Sequence, residues 1–243
     1  MTNSLDVKNL TKTYGSLCAV DDLSIEVHKG ETFGLLGHNG AGKSTTIECI
    51  LGVKTPDRGQ IEVLGMNTTS NRKEVFERVG VQFQETNYHE KIKVVEICKL
   101  TESFYKTHTD LATLLNTFGL TGKENSLVSE LSGGERQRLS VILALIPNPK
   151  MVFLDELTSG LDTKARWDVW KHLECLKKRG LTVLLTSHFM DEVEALCDRV
   201  CILKKGKAVI CSDVDDVISQ SPHDTLEEAY LWYAGEEETD EIT

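Results

Sequence analysis

Gly37-His38-Asn39-Gly40-Ala41-Gly42-Lys43-Ser44 matches the pattern G-x-x-x-x-G-K-[ST], and the apolar run 32–36 stands directly before it. Glycines let a backbone curl until successive N–H groups converge on phosphate oxygens, and a helix expected over 44–51 adds the positive end of its dipole. Lys43 supplies a point charge for the β- and γ-phosphates, and the Ser44 hydroxyl can ligate magnesium. Strand, loop and helix in this order predict a nucleoside triphosphate site, with ATP and Mg2+ as the expected ligands held by Gly37 to Ser44 and by Thr45.

A second block complements the first. Met151-Val152-Phe153-Leu154 reads as a buried strand and delivers Asp155 and Glu156 to the carboxyl edge of a sheet, where α/β proteins bind ligands. Asp155 is the expected magnesium partner, and Glu156 is placed to accept a proton from an attacking water. A strand ending in two acids is common, so this reading draws its weight from the phosphate loop.

The chain of 243 residues carries 27 Lys plus Arg against 38 Asp plus Glu, a formal charge of −11. That balance repels a phosphate backbone and argues against nucleic acid as partner. Seven scattered cysteines without a leading secretory segment suit a reducing cytosol. Cys197 and Cys201 would share a face if helical, but no CxxC or histidine cluster accompanies them, and buried thiols are the expectation rather than a metal site. The longest apolar run, 141–146, stops at Pro147, far short of the ~20 residues a bilayer span needs, so no direct bilayer insertion is expected.

Strands are expected at 23–27, 32–36, 61–64, 79–83, 151–154, 182–186 and 200–203. Helical stripes fall between them: Val169, Trp170, Leu173 and Leu176, then Val193, Leu196 and Cys197. This alternation predicts an α/β domain with a mainly parallel sheet. The stretch 94–120 breaks it, because Val94, Ile97, Cys98, Thr101, Phe104 and Tyr105 repeat at helical spacing, as do Leu111, Leu114, Leu115 and Phe118; it reads as an inserted helical lobe. The acidic run 236–241 has nothing to bury and is expected to be disordered.

Leu131-Ser132-Gly133-Gly134-Glu135-Arg136-Gln137-Arg138 resembles the signature motif of the ATP-binding cassette family. Ser132 with Glu135 is also a capping box, and a capped helix start bearing two glycines suits a phosphate site, so both readings stand together. The resemblance covers about Leu5 to Leu203. It implies a P-loop ATPase fold: a mainly parallel core, an N-terminal antiparallel β region and an inserted α-helical subdomain. As a single domain, 1–86 and 150–220 would form the nucleotide-binding core, 87–149 the helical subdomain, and 221–243 a C-terminal extension.

The resemblance also assigns roles one residue at a time. Tyr14 resembles the aromatic that stacks on adenine, where the bland alternative is an ordinary turn tyrosine. Gln84 resembles the glutamine that contacts magnesium or water, with Gln82 as a weaker occupant. Ser159-Gly160-Leu161-Asp162 resembles the loop that crosses to the opposite subunit, and His188 the switch histidine at the γ-phosphate. Ser132, Gly133 and Gly134 of one copy would close over the phosphate loop of another, so the implied partners are a second cassette subunit and a transmembrane permease at the cytoplasmic face of the membrane. The coupling surface would lie near Gln84, Glu85, Thr86 and Tyr88. The family commonly has proline where this chain has Leu157, which implies a less constrained turn and bears on rate.

The phrases 37–46, 190–199 and 225–230 resemble the bacterial branch exporting drugs, antimicrobial peptides or polysaccharides. A soluble cassette ATPase acting in assembly or regulation is the alternative, and a nucleotide-binding module without turnover is disfavoured by Lys43, Asp155, Glu156 and His188 together.

Overall fold

The computed structural model describes residues 2–83, 88, 91–158 and 160–235. Two long strands, β1 (Asn3–Tyr14) and β2 (Leu17–His28), pair antiparallel and continue into β4 (Arg58–Val63) and β5 (Met66–Asn67) as a four-stranded sheet ordered β2-β1-β4-β5. In β2 the buried Leu23, Ile25 and Val27 alternate with exposed Asp22, Ser24 and Glu26, the period-2 signature of a sheet with one wet face.

The second sheet has the order β10-β9-β3-β8-β7-β6. Its strands are β3 (Thr32–Leu36), β6 (Val79–Gln82), β7 (Met151–Asp155), β8 (Thr182–Thr186), β9 (Arg199–Lys204) and β10 (Lys207–Asp213). All its pairs are parallel except the edge pair of β9 with β10. Central β3 and β8 are buried along their whole length, which is why they read as continuous apolar runs.

Helix α1 (Lys43–Ile50) lies between the sheets: Ile47, Cys49 and Ile50 share one core cluster with Leu5, Val20 and Leu23 of the antiparallel sheet and with Phe33, Leu35 and Phe153 of the mixed sheet. The short α2 (Arg72–Phe76) covers the start of β6. On the other face, α3 (Val94–Glu102), α4 (Leu111–Thr117), α5 (Gly133–Leu145) and α6 (Thr163–Lys177) build a second cluster that includes Val152 and Leu154 of β7. The helical insertion is therefore fused to the sheet through continuous apolar packing. Helix α7 (Met190–Leu196) leads into β9, and α8 (Val214–Ser219) and α9 (Leu226–Ala234) close the C-terminal side.

Three expectations are adjusted. The strand β1 escapes the period-2 test because Asn9 takes a left-handed φ of 51° and the register shifts between Val7 and Leu10, resetting the alternation. The stripe begun at Val94 ends with α3 at Glu102, so Phe104 lies beyond the helix and is 72% exposed. Cys197 follows α7 and Cys201 lies in β9 opposite Cys211, so the two do not share a helical face. The acidic run 236–241 lies outside the described residues, and among the described residues no helix is long and apolar enough to cross a membrane.

Candidate functional site: the phosphate loop and the carboxylate edge of the sheet

Strand β3 ends at Leu36, α1 begins at Lys43, and the loop between them takes the shape only glycine allows. Gly42 has φ 108°, and a Cβ there would stand 2.5 Å from the Ala19 carbonyl oxygen; one at Gly37, φ 150°, would stand 2.6 Å from that of Leu203. The loop thus runs hard against β2 and the β9 end. The first turn of α1 leaves the amides of Lys43, Ser44 and Thr45 without partners inside the helix, the arrangement that receives anions. Thr46 N–H and hydroxyl both bond to Gly42 O, fixing that turn.

The Lys43 ammonium arches across the loop and donates to the carbonyls of Gly37 and His38. Burial lowers its pKa, against the attraction of Glu156 and Asp155. A desolvated cation between two carboxylates and a ring of amides can take the charge of a polyphosphate far better than a hydrated one. The His38 ring bonds to Asn39 O at the loop's exposed tip.

A cleft of 260 Å3 joins these parts: its lining brings Tyr14, Leu17 and Ala19 together with Asn39, Gly40, Gly42, Lys43, Ser44, Thr45, Asp155 and Glu156. Tyr14 is 40% exposed at the end of β1, with the Lys12 and Lys54 ammonium groups 5.5 and 5.1 Å from its ring centre. A planar ring at the rim of a phosphate-binding cleft is suitably placed to stack on a base.

Asp155 and Glu156 leave the end of β7 together. The Thr186 hydroxyl, facing Asp155 in register from β8, donates to Asp155 Oδ1 and accepts from Glu156 N–H at 3.1 Å. Glu156 takes a left-handed φ of 52°, a conformation that a non-glycine residue adopts at a cost of ~1 kcal/mol or more and that is concentrated at functional sites. The turn is tied from the helical side as well: Gln137 Nε2 on α5 donates to Leu157 O at 2.7 Å and to Glu156 O at 3.3 Å. Leu157 itself is fully buried, so packing holds the place where the family commonly has proline. His188 Nδ1 lies 3.7 Å from Glu156 Oε1, on the loop after β8.

Ser132, Gly133, Gly134 and Asp162 do not line this cleft. Ser132 caps α5 through its hydroxyl to Glu135 N–H, while Glu135 Oε2 accepts from Ser132 N–H. Asp162 caps α6 by accepting from Ala165 N–H at 2.8 Å. It borders a larger cavity, 640 Å3, with Arg138, Lys164, Asp168 and His172, which holds no phosphate-loop residue. Gln84 and Ser159 lie outside the described residues. Gln82, the weaker occupant, is buried in β6 and donates from Nε2 to Asp155 O at 3.1 Å. The bracing roles of Thr186 and Gln137 were invisible in sequence; strand register was the only signal that could have placed Thr186 beside Asp155.

Asp155 and Ser44 offer a carboxylate and a hydroxyl, hard oxygen donors of the kind magnesium takes along with phosphate oxygens. One carboxylate oxygen is already oriented by Thr186, the outer-shell support such a ligand needs.

Comparison with known proteins agrees with this geometry. The sequence profile of the ABC transporter family matches residues 20–159. The Nod factor export ATP-binding protein I of Rhizobium etli is 39% identical over 230 residues, 93% of this chain and 70% of the relative. The protein of the same name from Rhizobium meliloti is 41% identical over 211 residues, 85% of this chain, and this chain spans 63% of its length. Among solved structures, an ATP-binding subunit of an ABC transporter superposes with a TM-score of 0.88 at 28% identity, covering 96% of this chain and 99% of that one. A dimeric post-hydrolysis cassette bound to ADP and Pi gives 0.78 at 25% identity over 86% of this chain and 98% of that one. The chain, with a phosphate loop and a carboxylate edge sharing one cleft, belongs to the ABC transporter family and is its ATP-binding ATPase subunit.

Proposed function

We propose that this chain hydrolyses ATP to power export through a separate transmembrane permease, working as one of two cassettes at the cytoplasmic face of the membrane. The observation that carries the reading is the single cleft shared by Tyr14, the phosphate loop, Asp155 and Glu156. The adenine stacks on Tyr14, and the triphosphate lies on the amides at the start of α1 with Lys43 against its β- and γ-phosphates. Ser44 and Asp155 would hold magnesium, and Gln84, outside the described residues, is the further ligand that the family resemblance implies. When bound, the ion neutralises charge on the β- and γ-oxygens.

Glu156 accepts the proton of the attacking water, and His188, 3.7 Å from its carboxylate, faces the γ-phosphate. Asp155 and Lys43 stay fixed while charge shifts to the leaving oxygen. Ser132, Gly133, Gly134 and Asp162 stand apart from the cleft of their own chain, which supports their closing over the cleft of a second copy. The dimeric cassette among the similar structures supports pairing of two such chains. Export as the direction rests on the names of the relatives.

The test is Glu156→Gln. Substituting the base should leave ATP binding intact, slow hydrolysis by roughly a hundredfold or more, and trap a dimer that sizing chromatography detects with ATP but not ADP. Wild-type turnover would remove Glu156 from the role. Purification from membranes should recover a multi-span protein alongside the chain, and recovery only with soluble partners would overturn the transport reading.

A further inference from the structure

Glu192, on α7 four residues beyond His188, is fully buried. No step above uses it. A carboxyl in a core is costly unless it is bonded, so its surroundings require an account. Trp170 Nε1 on α6 donates to Glu192 Oε1 at 3.1 Å. The hydroxyls of Ser187 and Thr158, both buried, stand beside the carboxyl. Ser187 directly precedes His188, and Thr158 follows Glu156 by two residues. Among the described residues, Glu192 Oε2 and Thr158 Oγ1 are buried without a well-formed hydrogen bond of their own.

The outer layer repeats the link between the same two elements. Arg166, at the start of α6, donates to Asp191 Oδ2 at 2.8 Å and lies 4.4 Å from the centre of the Phe189 ring, which packs 4.1 Å from the ring of His188. The Trp170 and Arg166 contacts join α6, the helix that follows the turn of Glu156, to the chain around and just beyond His188, and Thr158 stands beside the same carboxyl from the turn itself.

We propose that Glu192 is a positioning residue whose buried carboxyl ties the turn carrying Glu156 to the loop carrying His188, through Thr158, Ser187 and Trp170. The inference rests on the roles given above to Glu156 and His188. Burial raises the pKa of the carboxyl, against the neighbouring hydroxyls, the indole N–H and the Arg166 charge, while its Oε1 accepts from Trp170. A glutamine side chain has the same shape and keeps an oxygen that can accept the indole N–H; a leucine has the volume alone.

The test measures kcat, ATP affinity without turnover, and thermal melting for Glu192→Gln, Glu192→Leu and Trp170→Phe, with Glu156→Gln in parallel. Misplacing catalytic groups without touching the phosphate loop should lower kcat about tenfold or more in Glu192→Leu while ATP affinity stays unchanged, and Glu192→Gln should retain most of the activity. Full turnover in Glu192→Leu overturns the proposal, as does equal damage in Glu192→Gln. Should Glu192→Leu fail to fold, Trp170→Phe decides: lower kcat at unchanged ATP affinity supports the link, and unchanged kcat overturns it. An inactive Glu156→Gln beside a fully active Glu192→Leu refutes the positioning role alone, whereas an active Glu156→Gln refutes the base assignment beneath it.

Discussion

Glu156 Oε1 and His188 Nδ1 face each other at 3.7 Å, although the two residues sit on loops after neighbouring parallel strands and His188 is far more exposed than Glu156. The pair meets because Asp155 and Thr186 are register partners, which sets the two strand ends level. The approach of the carboxylate to the imidazole thus depends on one rung of a β-ladder and on the Thr186 side chain that braces it.

Removing that brace without changing shape gives the first prediction. In Thr186→Val, Asp155 Oδ1 loses its donor and Glu156 N–H one acceptor. Outer-shell partners of metal ligands are typically worth tenfold or more in metal affinity, so the magnesium concentration for half-maximal hydrolysis should rise about tenfold. A magnesium titration of the ATPase rate checks it, and an unshifted midpoint would separate Thr186 from the metal.

Gly42→Ala tests the loop. The added Cβ would meet Ala19 O at 2.5 Å in a backbone at φ 108°. Strain of this kind costs on the order of 1–3 kcal/mol, so a lower Tm is expected, together with loss of ATP binding because the amides of the first turn shift. Melting curves with and without ATP read both effects.

Ser132→Arg separates the two faces of the nucleotide. Ser132 does not line the cleft of its own chain, so ATP affinity of the monomer should stay near wild type while hydrolysis stops. Loss of the helix cap should also cost ~1 kcal/mol of stability, which Ser132→Thr would spare. Fluorescent-nucleotide binding beside ATPase assays distinguishes the outcomes; weakened monomer binding would contradict the shared site.

The pH response of stability follows from Glu192. Burial raises its pKa above the usual 4.5, so above that value the native state holds a proton the unfolded chain releases. Its contribution is fully present below 4.5 and is lost as pH rises through the folded-state pKa. Glu192→Gln cannot ionise, and its Tm relative to wild type should therefore improve over the range from pH 4.5 up to the folded-state pKa. A constant difference across that range would show the carboxyl to be unshifted.

Much of the site was legible because it is local. The phosphate loop runs over eight consecutive residues, 37–44, the capping box over Ser132 to Glu135, and the carboxylates directly follow an apolar strand. Less legible were elements whose period is broken or shared. The bulge at Asn9 hid β1, and the edge strand β10 carries a register shift between Ala208 and Ile210.

The sequence by itself determined which chemical groups the chain owns and the local bends that present them: a glycine-rich turn, a lysine and a hydroxyl at a helix start, and two acids at a strand end. These follow from backbone sterics and side-chain type over a few neighbouring residues. Only the tertiary structure decided that Thr186 braces Asp155, that Gln137 holds the turn of Glu156, and that Trp170 bonds to the buried Glu192. Those bonds join residues 20 to 31 positions apart, and strand register and helix packing, rather than any local pattern, bring them within bonding distance.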